Sequence, residues 1–361
     1  MNVTFRVDGS EVIGFGHLAR CRNLASALSK VGYDCRFVRS GPRDGLLEGL
    51  DVVWIAVDGD EVGGRLDAEL TLRVATEEET GGRSVVVVDH YRIDQEWESE
   101  IRRAGAFIVA IDDLADRPHD CHVLIDANPL PSDRYQDLVP PDTLLLLGLG
   151  HALLAPDPTG PTSEELNPAR SVAKIVVCFG GGKNPGPLQI MLEACADPRL
   201  AQLSFDLVAA EETLADHLRA SWAKIGRRSS PLADVRIQGW VDDLRDLLRA
   251  CDISVGAGGS LALERIRLGI PSVVITLADN QVPTSRELHR QGLLRHVGGL
   301  SDCTPQLIAD EILGLASDGK ARAFVARWGP NVVDGRGASR CARAIRRAHR
   351  GLTLREQGPD P

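Results

Sequence analysis

Short β-branched runs alternate with helix-length amphipathic stretches along most of this chain, and the alternation starts afresh near its middle. Candidate strands Val3–Val7, Cys35–Arg39, Val52–Ile55, Ser84–Asp89, Phe107–Asp112, Val123–Asp126 and Thr143–Leu147 precede a Pro/Gly-rich stretch from Ala155 to Pro168. Lys174–Phe179, Ser204–Val208, Val235–Gln238, Ile253–Val255 and Ser272–Thr276 follow it. Between them lie helical stretches such as His17–Lys30, Pro187–Ala196, Glu211–Ile225, Leu244–Ala250, Leu261–Leu268 and Thr304–Ala316. Such alternation implies parallel sheets covered on both faces. Two runs of it predict an α/β protein of two doubly wound, Rossmann-like domains. The expected boundaries are 1–155 for the first domain, 156–170 for a linker and 171–335 for the second. A closing helix at 336–351 and a flexible tail at 352–361 complete the chain. Ligands of these folds bind at the C-terminal ends of the strands, so a cleft between two facing domains is the expected site.

A chain of 361 residues, 43% hydrophobic and 25% charged, suits two soluble globular domains. Its net charge of −10 argues against a general nucleic-acid binder. No run approaches the roughly 18 apolar residues of a membrane span, so no membrane insertion is expected. A strand pattern begins at once, with no signal-peptide pattern before it. The eight cysteines are scattered and none forms a C-x-x-C pair. They read as reduced thiols of a cytoplasmic protein.

Four loops carry chemistry. In the first, Arg6-Val7-Asp8-Gly9-Ser10 leads through Gly14-Phe15-Gly16 to His17, which opens a helix with Arg20 one turn on. Free N–H groups at a helix start attract anions, and Gly14 and Gly16 let a phosphate approach the backbone. His17 at that spot is a candidate acid–base. The run formally matches a dinucleotide fingerprint. However, about half a dozen residues separate strand from glycine, and no acid ends the second strand, so a nicotinamide or flavin cofactor is not expected.

The second loop, Gly256-Ala257-Gly258-Gly259-Ser260, again joins a strand to a helix, with Glu264 one turn in. Its N–H groups and the Ser260 hydroxyl suit a diphosphate, and Glu264 suits the two hydroxyls of a ribose. The third, Asp279-Asn280-Gln281, offers two adjacent side-chain amides for sugar hydroxyls or an N-acetyl group. A helix cap is the plainer reading of Asn280. The fourth, Asp89-His90-Tyr91, ends a strand, as does Asp112-Asp113, a pair that invites but does not establish a metal reading. His119 and His122 flank Cys121 with no second ligand pair and read as structural.

Taken together these residues resemble the UDP-2,4-diacetamido-2,4,6-trideoxy-β-L-altropyranose hydrolase family, with its spore-coat polysaccharide relatives. The likeness runs from about residue 2 to 345. It rests on Arg6 to Ser10, Ile13 to His17, Arg20-Cys21, Val88 to Tyr91, Ile111 to Leu114, Gly256 to Ser260 with Glu264, and Asp279 to Gln281. Asp334-Gly335, Gly337-Ala338 and Arg340 complete it. The resemblance implies a glycosyltransferase-B (GT-B) fold, a monomer, and no metal or cofactor beyond a UDP-sugar substrate. It implies UDP phosphates at Gly258, Gly259 and Ser260, ribose at Glu264, and uracil near Gly239-Trp240-Val241. His17 would activate water to cleave the anomeric C–O bond with inversion. Phosphate or sugar contacts are expected from Gly14, Gly16, Asp8, Arg20, Asp89, Tyr91, Asn280, Gln281, Gly181 and Lys183.

Two stretches depart from that family. Gly180-Gly181-Gly182-Lys183-Asn184-Pro185 stands where the family has Gly-Gly-Ser-Asp-Pro, so Lys183 replaces an acid. His151-Ala152-Leu153-Leu154-Ala155 stands where it has Tyr-Ala-Leu-Leu-Arg. Two other functions stay open: a glycosyltransferase using the same donor site, and a nucleotide-sugar-binding protein with no chemistry at His17. The acidic run Glu77-Glu78-Glu79 and the lack of a basic amphipathic helix in the N-terminal half argue against a lipid acceptor.

Overall fold

The structure is a computed structural model that describes residues 1–9, 15–41, 49–77, 83–157, 171–227, 232–241 and 243–356, with side chains to 351. The chain forms two compact units, Met1–Pro156 with Gly335–Pro361, and Asp157–Asp334. The first holds strands β1 (Asn2–Val7), β2 (Asp34–Arg39), β3 (Asp51–Trp54), β4 (Val85–Asp89), β5 (Phe107–Ile111), β6 (Val123–Asp126) and β7 (Leu144–Leu147). All pair in parallel, in the order β3-β2-β1-β4-β5-β6-β7. The second holds β8 (Lys174–Cys178), β9 (Ser204–Val208), β10 (Asp234–Gln238), β11 (Ile253–Ala257), β12 (Ser272–Thr276) and β13 (Arg295–Gly299). They too are parallel, in the order β10-β9-β8-β11-β12-β13.

Helices α1 (Gly16–Ser29), α2 (Arg65–Thr76) and α3 (Gln95–Arg103) belong to the first unit. The second contains α4 (Gly186–Cys195), α5 (Glu212–Gly226), α6 (Leu244–Arg249), α7 (Ser260–Arg267), α8 (Gln281–Arg290), α9 (Pro305–Ser317) and α10 (Gly319–Val332). The last helix, α11 (Gly337–Glu356), returns to the first unit. It continues past the expected end at 351 because no proline follows before Pro359 and Leu352, Leu354, Arg355 and Glu356 favour helix. Residues 357–361 of the expected tail, and 158–170 of the expected linker, lie outside the described residues.

Alternation along the strands decides which side chain faces which helix layer. On one face of the first sheet, Val3, Phe5, Val7, Val85, Val87, Phe107 and Val109 pack with Leu18, Leu24 and Leu28 of α1 and with Cys341, Ala342 and Ile345 of α11. On the other, Val86, Val88, Ile108 and Leu124 pack with Ala68 of α2 and with Trp97 and Ile101 of α3. The motif Asp334 to Arg340 serves this packing. A Cβ at Gly337 would overlap the Ala152 backbone, and Arg340 donates to Gly150 O. These residues seat the returning helix, so the likeness they carry is architectural.

The same alternation turns Arg6 inward, and it is fully buried. Its Nε donates to Asp67 Oδ1 (2.9 Å), Nη2 to Asp67 Oδ2 (2.7 Å) and Nη1 pairs with Asp8 Oδ2 (2.8 Å). Asp67 also accepts from Trp97 Nε1 (3.2 Å). Removing one partner of such a buried pair leaves an uncompensated charge, which costs about 3–5 kcal/mol. Asp67→Ala therefore lowers the stability of the first unit by about that amount. The measurement is urea unfolding followed by circular dichroism. An unshifted midpoint would show that the Arg6–Asp67 pair contributes nothing.

Candidate active site

In the first unit the functional side chains gather where β1 and β4 end. Asp89 is the last residue of β4 and points toward α1, whose second residue is His17. His17 Nδ1 lies 2.6 Å from Asp89 Oδ1. Arg20, one helical turn on, donates through Nε to Asp89 Oδ2 (2.6 Å) and through Nη2 to Oδ1 (2.6 Å). Its Nη1 donates to Asp113 Oδ2 (2.8 Å). Cys21 Sγ adds a weak bond to Asp89 Oδ2 (3.5 Å).

Burial alone would raise the Asp89 carboxyl, but Arg20 and then His17 outweigh it and hold it well below the usual carboxylate range. An ionised carboxylate only accepts, so Nδ1 of His17 carries the proton and donates it to Asp89. Arg20 Nη2, 3.0 Å from Nδ1, is a second donor converging on the same oxygen. In neutral His17 the lone pair then sits on Nε2. Tyr91 meets the imidazole edge-on, with ring centroids 4.7 Å apart, and its hydroxyl donates to Asp113 Oδ2 (3.4 Å).

The structure thus brings together His17, Arg20, Asp89 and Tyr91, and redistributes their expected tasks. Asp89 was expected to touch substrate; it is fully buried and both its oxygens are taken. Asp8 accepts from Ser40 N (2.8 Å) and Ser40 Oγ (2.8 Å) and pairs with Arg6, so its oxygens are also engaged within the protein. Strand alternation splits the Asp89-His90-Tyr91 cluster. His90 faces the Arg6–Asp8 network, its Nδ1 accepting from Arg92 N (3.1 Å). Burial and then Arg6 lower its pKa to about 4, so it is neutral at physiological pH. Gly16 is the exposed first residue of α1. Gly14 lies outside the described residues.

Asp112 and Asp113 part in the same way. Asp113 serves Arg20 and Tyr91, while Asp112 receives Tyr135 Oη (2.9 Å), Ala115 N (2.8 Å) and Arg117 Nη1 (3.0 Å). Among the described residues no group of three His, Cys, Asp or Glu side chains is arranged to hold a metal. His122 is built into the core: its Nδ1 accepts from Ile108 N (3.0 Å) and its ring stacks on Phe107.

In the second unit the corresponding strand ends are those of β8 and β11. Gly258 and Gly259 follow the end of β11 at Ala257, and α7 starts at Ser260. A Cβ on Gly258 would overlap Ser285 Oγ and crowd Thr276 Cγ2 (3.3 Å) and Gln281 Cβ (3.4 Å). Gln281 Oε1 accepts from Leu277 N (3.0 Å), which turns its Nε2 donor toward Gly259. Gly258, Gly259, Ser260 and Gln281 therefore form one cluster.

Glu264 lies one turn along α7. Its Oε2 is buried with no hydrogen-bond partner among the described residues, and the nearest cation, Arg267 Nη1, is 3.8 Å away. Burial raises its pKa against the pull of Arg267 and Arg245. Asn280 occupies the N-cap position of α8, yet its side chain makes no capping bond. Gly239, Trp240 and Val241 follow β10 at the sheet edge, separated from β11 by the two strands β9 and β8. Gly239 presses on Glu212 of α5, and Trp240 is 65% exposed. Gly181 lies in the loop after β8, where Lys183 pairs with Glu211 (3.3 Å).

Sequence reading passed over two side chains beside this loop, Arg265 and Ser285. Both are buried. The signal for Arg265 was its helical spacing: Ala262, Arg265 and Ile266 share the buried face of α7.

The fold is of the GT-B type, two Rossmann-like α/β units in one chain. Solved structures similar over nearly the whole chain include MurG of Acinetobacter baumannii (14% identity, TM-score 0.67, 96% of this chain and 99% of that one). The glycotransferase of kitacinnamycin is similar too (18% identity, TM-score 0.64, 96% and 98%). So is CalG4, the calicheamicin glycosyltransferase (15% identity, TM-score 0.60, 96% and 98%). No family model matches the chain. Among curated proteins, the UDP-2,4-diacetamido-2,4,6-trideoxy-β-L-altropyranose hydrolase of Campylobacter jejuni is 31% identical over 156 residues, 43% of this chain. The match spans 52% of the length of that relative.

A further buried histidine of the first unit gives a pH test. His119 Nδ1 bonds Glu98 Oε1 (2.8 Å), and Nε2 lies 3.8 Å from Asp112 Oδ2. Burial opposes the imidazolium, but Asp112 and Glu98 favour it more and raise its pKa to about 9. A raised pKa contributes stability that is complete below the ordinary histidine value of about 6.5. That stability is lost as pH rises through about 9. Urea midpoints between pH 6 and 10 should fall for the wild type and fall less for Glu98→Gln. Equal slopes would remove His119 from the pH dependence.

Proposed function

We propose that the chain hydrolyses a UDP-linked acetamido-deoxy sugar at its anomeric C–O bond, with inversion, releasing UDP and the free sugar. One observation carries this reading: a buried carboxylate, itself locked by Arg20, holds His17 by Nδ1 and leaves Nε2 as the base. An oriented base of this kind contributes about 10²–10⁴-fold to a rate.

In the proposed reaction a water oxygen attacks the anomeric carbon as His17 Nε2 takes its proton. The bond from that carbon to the diphosphate oxygen breaks, and its electron pair leaves with UDP. The transition state has oxocarbenium character. The N–H groups of Gly258, Gly259 and Ser260 stabilise the departing diphosphate. Glu264 takes the ribose hydroxyls, for which its unsatisfied Oε2 is suited. Gln281 and Asn280 take the sugar or its acetamido groups, and Trp240 takes the uracil. The partial likeness to the Campylobacter jejuni hydrolase supports the donor and the acceptor proposed here. The substrate is a small molecule, and the protein is proposed to act as a monomer.

A second reading keeps the donor and replaces water by an acceptor hydroxyl. Fold neighbours that are glycosyltransferases favour it, and the same His17–Asp89 pair would deprotonate that hydroxyl.

UDP release is measured from UDP-2,4-diacetamido-2,4,6-trideoxy-β-L-altropyranose and a panel of UDP-N-acetyl sugars, without acceptor and with excess chelator. Hydrolysis predicts release that His17→Phe abolishes while UDP binding persists. Asp89→Asn lowers kcat by about 10²-fold or more, because the imidazole loses its oriented tautomer. Binding of UDP without release by the wild type moves the assignment to transfer. Persistent turnover in His17→Phe rejects the base. Separately, Glu264→Gln is expected to weaken UDP about tenfold, read by calorimetry, through loss of charge-assisted ribose bonds. An unchanged affinity places the ribose elsewhere.

A further inference from the structure

Arg265 is 1% exposed, and no carboxylate lies within ion-pair distance of it among the described residues. Its Nη2 donates to Ala257 O, and its Nε is buried with no partner among the described residues. Gly256 has no room for a side chain, because a Cβ there would overlap Arg265 Nη1 and Cys178 O. The guanidinium is thus packed directly beneath the β11–α7 loop. A buried charge without a counter-charge is costly, and the usual remedy is a paired acid. Burial accordingly lowers the Arg265 pKa to about 10, which still leaves it charged at neutral pH.

Ala257 C=O and Gly258 N–H belong to one peptide unit. A charge-assisted bond to the carbonyl draws electron density from the amide and strengthens its N–H as a donor. That N–H sits at the loop expected to meet the phosphates. A second buried group points at the same place: Ser285 Oγ is fully buried, has no partner among the described residues, and lies against Gly258.

We propose that Arg265 is a positioning residue that turns the Gly256–Ser260 loop into a diphosphate cradle, its missing counter-charge being the ligand itself. The inference rests on the nucleotide reading above and deepens it. Arg265 acts through the Ala257–Gly258 peptide and does not touch the ligand. It sets a preference for the diphosphate over the nucleoside, with Ser285 Oγ available to the loop once it is loaded.

Calorimetry with UDP, uridine and inorganic pyrophosphate on the full chain tests this, together with thermal unfolding of each variant. Arg265→Met and Arg265→Gln both remove the charge, and Gln keeps a donor should Met fail to fold. The expected result is a Tm equal to or above wild type, UDP and pyrophosphate weakened at least tenfold, and uridine unchanged. A purely structural arginine would instead lower Tm and weaken uridine and UDP alike. A folded variant that binds UDP as wild type does overturns the proposal. Wild-type protein that binds pyrophosphate in an Arg265-dependent way but not UDP keeps the cradle and overturns the uridine reading. Wild-type protein that binds neither overturns both.

Discussion

Parallel pairing of β1 with β4 and of β8 with β11 is the constraint on which both halves of the protein depend. In each sheet the first strand lies inside, so the chain must first fill one side and then cross to the other. Right-handed crossovers leave the strand ends open at that reversal. Register then sets which residues meet there. Val7 pairs with Asp89, so the carboxylate at the end of β4 stands beside the end of β1. Gly256 pairs with Cys178, which brings the β11 loop against the end of β8 and leaves no space for a side chain.

The two strand-end clusters treat charge differently. In the first, Arg6 is paired with Asp67 and Asp8, Arg20 with Asp89 and Asp113, and Arg117 with Asp112. Such closed networks hold side chains in one geometry, which a base and its orienting acid require. In the second, Glu264 Oε2 and Arg265 Nε are buried without hydrogen bonds among the described residues. Buried polar groups are usually satisfied, so these two on adjacent residues beside a glycine loop accord with the nucleotide proposed there.

The strand runs were legible because parallel strands buried on both faces read as continuous apolar stretches; β6, β9 and β12 match the expected limits. β13 was missed because Arg295-His296-Val297-Gly298-Gly299 carries no such run and is only half-buried. At the candidate site, spacing and residue type singled out His17, Gly258 and Glu264. They did not reveal that Asp89 and Asp8 are consumed by protein partners, since those partners, Arg20 and Ser40, come from 69 and 32 residues away. Nor did composition separate Arg265 from the many solvated arginines. That distinction is one of burial, which helical spacing suggests and only the packing of α7 on the sheet decides.

Charge counting connects the closed network with the open one. Arg20 lies between two carboxylates, Asp89 and Asp113, so with neutral His17 the cluster carries one net negative charge. A proton arriving on His17 brings it to zero. Arg265 carries one positive charge, for which the proposed diphosphate is the counter-charge. In the proposed reaction the proton leaves water for His17 as negative charge gathers on the departing diphosphate, so the His17 cluster approaches neutrality while Arg265 faces a growing negative charge. Stabilisation that grows along the reaction coordinate is what lowers a barrier, whereas equal stabilisation of ground and transition state does not. In the proposed reaction the paired arginine thus bears on where the proton goes and the unpaired one on where the leaving charge gathers.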